Sequence, residues 1–412
     1  MITVNNLTKE AWKSEISQKH ITVTVNGVGT IDESNIDVDS FEMIESIIAS
    51  SSIEFVGCIA RKLTFTTDAF NDAYLKNMQI KVWLQADHTQ RIAVFTGIID
   101  ESVKASMKDL KTIVAYDDFY RLSQIDVSEW WNSLGVSTIY RSFLSFKAKY
   151  GIDNYVLRLQ NGDYPCFGGT KKRVREMSGL DYLMQLCQIN GVIGYIDGDG
   201  MFSVKHLNEQ GHEDVPAFKD FEYEDFDVKA IDKIIIRNTS DESGVFYPHS
   251  GVNSYIIQGN IFAYDQTGTD LLEMAQNIFN EVADIGFKPF SAFQIAYPWL
   301  ECGDTVSYTD VDDEGVEHTL TLLVTNRRLS GNQFMSDEYS AEGEQDQRLF
   351  ITDLQMQVED IKNQIDEEDE EREDNNYRGM VFVEYTDTPE VEVYGGLTET
   401  VSGIATELSV YP

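Results

Sequence analysis

The chain has 412 residues, which is enough for several compact domains that each bury a core. Hydrophobic residues make up 42% of it and charged residues 25%, a composition that excludes a disordered or collagen-like chain. Asp and Glu number 70 against 32 Lys and Arg, and the resulting net charge of −38 argues against binding to nucleic acid or anionic lipid, because such binding depends mainly on Lys and Arg.

The N-terminal segment lacks the apolar core of a signal peptide, and no run of eighteen apolar residues occurs in the sequence. We therefore expect a protein that is made in the cytoplasm, stays soluble and has no membrane span. The four cysteines lie far apart and form no Cys-x-x-Cys pair, which predicts buried free thiols and neither a zinc site nor a disulfide framework. They are Cys58, Cys166, Cys187 and Cys302.

Residues 1–122 are predicted to form a first strand-rich domain. The stretch 20–25 alternates apolar and polar residues and is followed by Asn26-Gly27, a strong hairpin signal. Further β-branched or aromatic runs follow at 41–47, 52–56, 62–66, 79–84 and 93–97. So many short strands at short intervals favour a small barrel or sandwich.

Residues 123–218 are predicted to form a mixed α/β domain. Apolar residues recur at helical spacing over 137–150 and 178–188, and an Asp-Gly turn separates two predicted strands within 194–204. The aromatic residues from Trp130 to Tyr150 fit the core of this domain.

A basic loop lies within the mixed domain and is defined by Lys171, Lys172, Arg173 and Arg175. On so acidic a chain, this loop is a candidate docking site for an acidic partner. The alternative is a solvated loop, which is what runs of charge usually are.

Residues 219–345 are predicted to form a second strand-rich domain. Strands are expected at 231–237, 254–258 and 319–325, with one amphipathic helix near 270–284. The acidic stretch that begins at Asp310 resembles the start of a calcium loop. Its twelfth position is Thr321 where calcium needs a bidentate Glu, so a hairpin tip is favoured.

The last part of the chain differs in kind. Residues 346–376 are predicted to form a short coiled coil followed by an acidic run, and residues 377–412 a β-rich segment too short to fold alone. The apolar seam has the alternating spacing of three and four residues that is typical of a coiled coil. It consists of Ile351, Leu354, Val358, Ile361 and Ile365. Dimer and trimer both remain open, and so does a single helix folded onto its own chain.

No familiar catalytic signature occurs in the sequence. Gly-x-Ser-x-Gly, His-Glu-x-x-His and the Walker loop are all absent, and Gly27-Val-Gly29 lacks the third glycine of a dinucleotide-binding motif. We therefore expect no enzyme activity, no metal and no cofactor.

Several segments, in order, resemble tail-hub proteins of phages and prophages that infect Gram-positive bacteria, including the N-terminal region of their tail-associated lysins. The matching segments are 31–36, 40–47, 53–58, 96–100, 115–122, 186–191 and 297–306, with closing strands at 326–343. In the last of them, Pro298, Glu301, Gly303 and Asp304 resemble the turn of the family's second barrel. The resemblance covers about residues 20 to 345, and it rests on the order in which the segments occur.

The resemblance implies a mainly β, α+β protein with two tail-tube-like β-barrel domains that flank a mixed α/β domain. It further implies a homotrimeric baseplate hub at the virion tail tip, made in the bacterial host. The expected partners are the distal tail protein, the tail tube, the tape measure protein and receptor-binding or fibre proteins. DNA would pass through the hub during ejection without specific binding.

Two other functions compete with this interpretation. Many relatives continue into a C-terminal hydrolase that cuts peptidoglycan, so the chain is alternatively a tail-associated cell-wall hydrolase or a truncated relative of one. A surface adhesin with an acidic stalk is the second. The missing catalytic pattern argues against the first, and the missing signal peptide argues against the second.

Overall fold

A computed structural model describes residues 1–48, 58–70, 74–105, 110–216, 218–237, 244–311, 316–332 and 334–343, together with four short strands nearer the C-terminus. The chain divides into two compact units, Met1–Arg348 and Leu349–Pro412, and each is considered by itself.

Six α-helices occur in the described part of the first unit. Helices α1 to α6 are Asn6–Lys13, Asp118–Ser123, Ser128–Ser133, Ile139–Tyr150, Gly179–Asn190 and Gly268–Val282. The three helices expected from apolar spacing are confirmed as α4, α5 and α6. Helix α5 begins with a capping box between Ser178 and Asp181, which satisfies free amide groups of its first turn.

Seven strands occur in the described part of the first strand-rich segment. Strands β1 to β7 are Lys19–Val25, Gly29–Asp32, Glu42–Ser46, Lys62–Thr67, Gln79–Ala86, Ile92–Ala105 and Leu110–Tyr116. The predicted hairpin at Asn26-Gly27 is confirmed, because β1 and β2 pair across it and Gly27 has a φ of 76°. The strand expected at 52–56 lies outside the described residues.

The described part of the mixed segment contains five short strands up to Lys205, three between its helices and two after α5. Strands β8 to β12 are Ser137–Thr138, Tyr155–Val156, Pro165–Cys166, Ile193–Ile196 and Phe202–Lys205. Its core is aromatic, as expected: Trp131, Phe143 and Phe146 are fully buried, and the Phe146 ring stacks on Tyr182 with centroids 4.3 Å apart. The predicted Asp-Gly turn joins β11 and β12.

Ten strands are described from His212 to Ala341, of which β13 lies within the bounds of the mixed segment and the rest form the second strand-rich segment. Strands β13 to β22 are His212–Val215, Phe218–Tyr223, Lys233–Arg237, Gly244–Tyr247, Ser254–Ile257, Phe290–Ile295, Thr305–Val311, Glu317–Leu323, Asn326–Ser330 and Ser336–Ala341. Strands β19 and β20 pair as an antiparallel hairpin, which confirms the expected hairpin. The tip of this hairpin, residues 312–315, lies outside the described residues.

Eleven strands from the two strand-rich segments form one antiparallel sheet. Its order is β14-β18-β22-β21-β3-β4-β7-β6-β5-β1-β2. The two segments meet where β21 pairs with β3, with Arg328 opposite Ile44. The expectation of two separate barrels needs correction here. Within the described residues the strands form one open sheet, because an edge strand of each segment is used to pair with the other.

Three smaller three-stranded sheets complete the described part of the first unit, apart from a two-stranded pair of β8 and β10. Their strand orders are β11-β12-β9, β13-β19-β20 and β16-β15-β17. All four cysteines are free and buried, as the sequence predicted.

In the second unit, four short strands are described. Strands β23 to β26 are Glu384–Tyr385, Val391–Glu392, Leu397–Glu399 and Leu408–Val410, and they pair as β23 with β24 and β25 with β26. These pairs agree with a β-rich C-terminal segment. The whole predicted coiled-coil seam, from Ile351 to Ile365, lies outside the described residues.

Candidate functional site

Away from its edge strands β14 and β2, the eleven-stranded sheet has one buried face and one largely polar, half-exposed face. On β1, Ile21, Val23 and Val25 are buried, whereas the intervening Thr22 and Thr24 are half-buried. The same alternation continues through the strands on both sides of the β3–β21 pairing. Hydroxyl and amide groups dominate the polar face there. They include Thr66, Thr112, Ser46, Asn326, Ser330, Ser336, Ser340 and Ser291.

These polar groups bond to one another across strands. Thr66 and Thr112 hydroxyls lie 3.0 Å apart, and the Ser46 hydroxyl donates to Asn326 Oδ1 at 2.6 Å across the junction of the two segments. Such cross-strand pairs stabilise a sheet face that water also reaches.

The charges on the polar face at the junction are largely paired. Arg328 Nε donates to Glu42 Oε2 at 2.7 Å, and its Nη1 lies 3.7 Å from Glu338 Oε2. Glu42 belongs to β3 in the first segment, and the other two belong to the second. This part of the face therefore presents hydroxyls and paired charges together with Lys62 and the 39% exposed Ile44, even though the whole chain is strongly acidic.

The predicted turn at Pro298, Glu301, Gly303 and Asp304 lies immediately beside this junction. Asp304 closes the turn, because its backbone NH donates to the Glu301 carbonyl at 3.1 Å and its Oδ2 accepts from the Glu301 NH at 2.9 Å. Gly303 has a φ of 85°, and a Cβ there would lie 2.6 Å from the Lys205 side chain. Glycine is thus required by backbone conformation and by close approach.

Lys205 from the mixed segment reaches into this turn. Its Nζ donates to the Cys302 carbonyl at 2.6 Å and lies 3.6 Å from Asp304 Oδ1 and 3.8 Å from Glu301 Oε2. Burial by itself would raise the pKa of Glu301, but Lys205 and other nearby cations outweigh it and lower that pKa. The turn residues are therefore an ion-paired support between segments.

A second buried ion pair lies on the other side of the turn. Arg327 Nε donates to Asp337 Oδ1 at 2.9 Å, its Nη2 donates to Oδ2 at 3.0 Å, and both residues are almost completely buried. Arg327 also donates to the carbonyls of Leu300 and Tyr297, and Asp337 accepts from the Tyr297 NH at 2.7 Å. The pair thus fixes the turn to strands β21 and β22.

Glu45 extends the buried polar cluster into the first segment. It lies on β3 and is 4% exposed, and its Oε1 accepts from the Cys302 NH at 3.3 Å. The cluster formed by Glu45, Lys205, Glu301, Asp304, Arg327 and Asp337 therefore contacts all three segments of the first unit, and we call it the junction cluster.

Helix α1 packs against the same turn. Lys9 and Lys13 of this helix both pair with Glu213 of β13, and Lys13 Nζ lies 2.7 Å from Glu213 Oε1. The Trp299 indole NH donates to Glu213 Oε2 at 3.1 Å. Burial by itself would raise the pKa of Glu213, but the hydrogen bonds from Lys13, Lys9 and Trp299 outweigh it and lower that pKa.

We expect Glu213→Gln to lower the free energy of unfolding by about 1–2 kcal/mol at pH 7. An acid whose pKa is lowered by folding contributes stability above its unfolded value of 4.5, and that stability disappears as the pH falls through the folded pKa. The difference between wild type and variant should therefore be full above about pH 5.5 and shrink below pH 4.5, as urea titrations across pH 3–8 would show. Asp214→Asn is the matched control, because Asp214 is exposed on the same strand. A difference that does not change with pH would contradict the prediction.

The basic loop is partly engaged within the chain. Lys171 Nζ lies 2.8 Å from Asp265 Oδ2, and Lys172 Nζ lies 5.4 Å from the centroid of the Tyr264 ring. The Lys172 carbonyl accepts from the Trp131 indole NH at 3.0 Å. Arg173 and Arg175 are exposed. The structure thus brings the turn residues into one cluster with Lys205, whereas the basic loop is anchored separately against α3.

Reasoning from sequence missed Glu45, Lys205, Glu213, Arg327 and Asp337. Arg327 and Asp337 each stand on a strand between polar or charged neighbours, and Lys205 ends a strand after Val204, as surface charges also do, so the local pattern gave no sign of burial. The one available signal was the unusual Gly-Asp turn, which needs buried polar partners.

Comparison with solved structures shows that the fold is similar to phage tail proteins at low sequence identity. A tail protein from Neisseria meningitidis MC58 is 11% identical, over 79% of this chain and 96% of the other, with a TM-score of 0.48. The 43 kDa tail protein of prophage MuSo2 from Shewanella oneidensis is 13% identical, over 79% and 98%, with a TM-score of 0.49. An Escherichia coli type VI secretion system component, described as similar to the T4 tail proteins gp27 and gp5, is 9% identical, over 78% and 76%, with a TM-score of 0.41.

No protein-family model matches the chain, and no curated protein sequence matches it. Among the described residues, no helix is both long enough and apolar enough to span a membrane.

Proposed function

We propose that this chain is a structural hub protein of a phage tail tip, which assembles as a homotrimer around the channel for the tape measure protein and DNA. The proposal begins from the ordered sequence segments that resemble tail-hub proteins. The structural observation that carries it is the single antiparallel sheet shared by the two strand-rich segments.

A ring made of repeated sheet units needs each unit to continue into the next without a gap. Within this chain that continuation exists, because β3 of the first segment pairs with β21 of the second. Three chains would then supply six such sheet units. We propose that each unit resembles a tail-tube domain.

We assign the polar face of the sheet to the channel. A channel through which DNA slides must present groups that do not bind phosphate tightly, and hydroxyls with paired charges meet that need. The net charge of −38 adds a repulsive field that opposes sticking. The junction cluster holds the two units in register and supports this face from behind.

Assembly must overcome strong repulsion, because three copies carry three times −38, or −114 charges. We propose that the seam from Ile351 to Ile365 forms a three-stranded bundle that aligns the chains on the channel axis. The hub would join the tail tube and the distal tail protein on one side to fibre or receptor-binding proteins on the other, within the virion tail tip.

Replacing both Leu354 and Ile361 with Asp should weaken the trimer, because each trimer would then hold six carboxylates in an apolar seam. Mass by light scattering, measured over a range of protein concentrations, should show a trimer for the wild type and smaller species for the variant. The control carries Asp at Met356 and Asn363, which lie off the seam in the same heptads. Unchanged mass for the seam variant would contradict the bundle.

We further propose that the chain acts without catalysis and binds no metal or cofactor. A tail-associated cell-wall hydrolase is the alternative, and zymography on peptidoglycan separates the two: a cleared band that survives purification to a single species would overturn the structural assignment. The basic loop of Lys171, Lys172, Arg173 and Arg175 is our candidate for docking an acidic neighbouring tail protein.

A further inference from the structure

The small sheet β16-β15-β17 has one buried apolar face and an opposite face that is only partly apolar. Helix α6 packs on one face, where Ile234, Ile236 and Ile257 are fully buried and the Tyr247 ring lies 5.4 Å from Phe279 of the helix. The opposite face has positions filled by Lys233, Ile235, Arg237, Gly244, Phe246, Ser254 and Ile256.

Three apolar residues form a row across this opposite face. Ile235 on the central strand stands directly opposite Phe246 on one side and Ile256 on the other. Phe246 is 42% exposed, and the two isoleucines are half-buried without contributing to the hydrophobic core. We call these three residues the outer row.

Both charged residues among the seven positions of this face are basic. Lys233 and Arg237 lie two positions before and after Ile235, so they stand about 7 Å to either side of the row. Neither has a carboxylate partner among the residues that the structure describes, and Lys233 Nζ lies 4.7 Å from the Phe246 ring. None of the seven positions on this face is acidic, although the chain holds 70 acidic residues against 32 basic ones.

We infer that the outer row is a docking site for an acidic amphipathic helix of a partner protein. Three adjacent strands span about 10 Å, which is also the length of two turns of an α-helix. A helix lying across the strands can therefore place apolar residues at positions i, i+4 and i+7 against the three residues of the outer row. Lys233 and Arg237 then face the two flanks of the helix, where Glu or Asp completes the contact. A second copy of this chain, docked through the same face, is disfavoured because the Lys233 and Arg237 side chains of the two copies would repel each other.

The inference is independent of the hub assignment, since it rests only on this sheet. The probe is a synthetic 18-residue helical peptide with a leucine row flanked by glutamates, labelled with fluorescein. Its partner probe is the same peptide with every glutamate replaced by lysine. Fluorescence anisotropy with the full chain at 150 mM salt gives both affinities. We expect the acidic peptide to bind at least tenfold more tightly, even though the chain as a whole repels it.

Two variants assign that binding to the outer row. Phe246→Ser should weaken binding of the acidic peptide about tenfold. The double variant Lys233→Glu with Arg237→Glu should reverse the preference between the two peptides. Phe334→Ser is the matched control, because Phe334 is an exposed phenylalanine elsewhere, and it should leave binding unchanged. Circular dichroism verifies that each variant is folded. The inference is overturned if the wild type binds neither peptide, binds both equally, or loses nothing in the Phe246 and charge-reversal variants.

Discussion

Asp337→Ala should lower the free energy of unfolding by about 3–5 kcal/mol, the largest effect we expect from one substitution. The change leaves the Arg327 guanidinium buried without its counter-charge and removes the acceptor of the Tyr297 NH. Burial by itself would lower the pKa of Arg327, but Asp337 outweighs it and raises that pKa, so the guanidinium stays charged. Urea unfolding followed by tryptophan fluorescence measures the loss.

Arg328, the residue next to Arg327, provides the control for this prediction. Arg328 points to the other face of β21, where its side chain is 54% exposed and pairs with Glu42. Arg328→Met should therefore change the free energy of unfolding by at most about 1 kcal/mol, as expected for a surface ion pair. Equal effects of the two substitutions would show that burial of the Arg327–Asp337 pair does not determine stability at the turn.

Lys205→Met should be the second most damaging change, at about 3 kcal/mol. Methionine keeps the aliphatic packing beside Gly303 but leaves Glu301 and Asp304 buried with less compensation of their charge. The Cys302 carbonyl also loses its 2.6 Å donor. Because Lys205 belongs to the mixed segment and the turn to the second strand-rich segment, we also expect faster proteolysis between these segments.

Lys81→Met is the matched control for Lys205. Lys81 also contacts a neighbouring segment, since its Nζ lies 2.6 Å from Asp199 Oδ1, but Asp199 is 65% exposed. We expect little change in unfolding or proteolysis from this substitution. If Lys205→Met were equally mild, the junction cluster would not be what holds the segments together.

Local patterns in the sequence predicted the elements well. The alternation at β1, the Asn26-Gly27 hairpin and the helical spacing of α4 and α5 depend on residues close in sequence, and the structure confirms all of them. What could not be predicted is how the strand-rich segments combine. Pairing of β3 with β21 joins residues almost 300 positions apart, and no short-range pattern specifies it.

The candidate site was predicted in the same partial way. The sequence identified the turn from Pro298 to Asp304 by its resemblance to a known turn. It did not predict the residues that contact this turn, such as Glu45, which is 257 positions from Cys302 in the sequence. A lysine such as Lys205 has the same local pattern whether it becomes exposed or buried. Ile235 and Ile256 of the outer row lie in predicted strands, whereas no strand was predicted around Phe246, and only the register of three strands revealed that the three residues stand side by side.

Electron cryomicroscopy of the purified chain, at a salt concentration that screens its repulsion, tests the central claim most directly. We predict a ring with three-fold symmetry in which the polar face, marked by Thr112, Ser340 and Arg328, lines an open central channel. An assembly that turns this face outward, or a chain that stays monomeric both alone and with the proposed distal tail partner, would contradict the proposed hub.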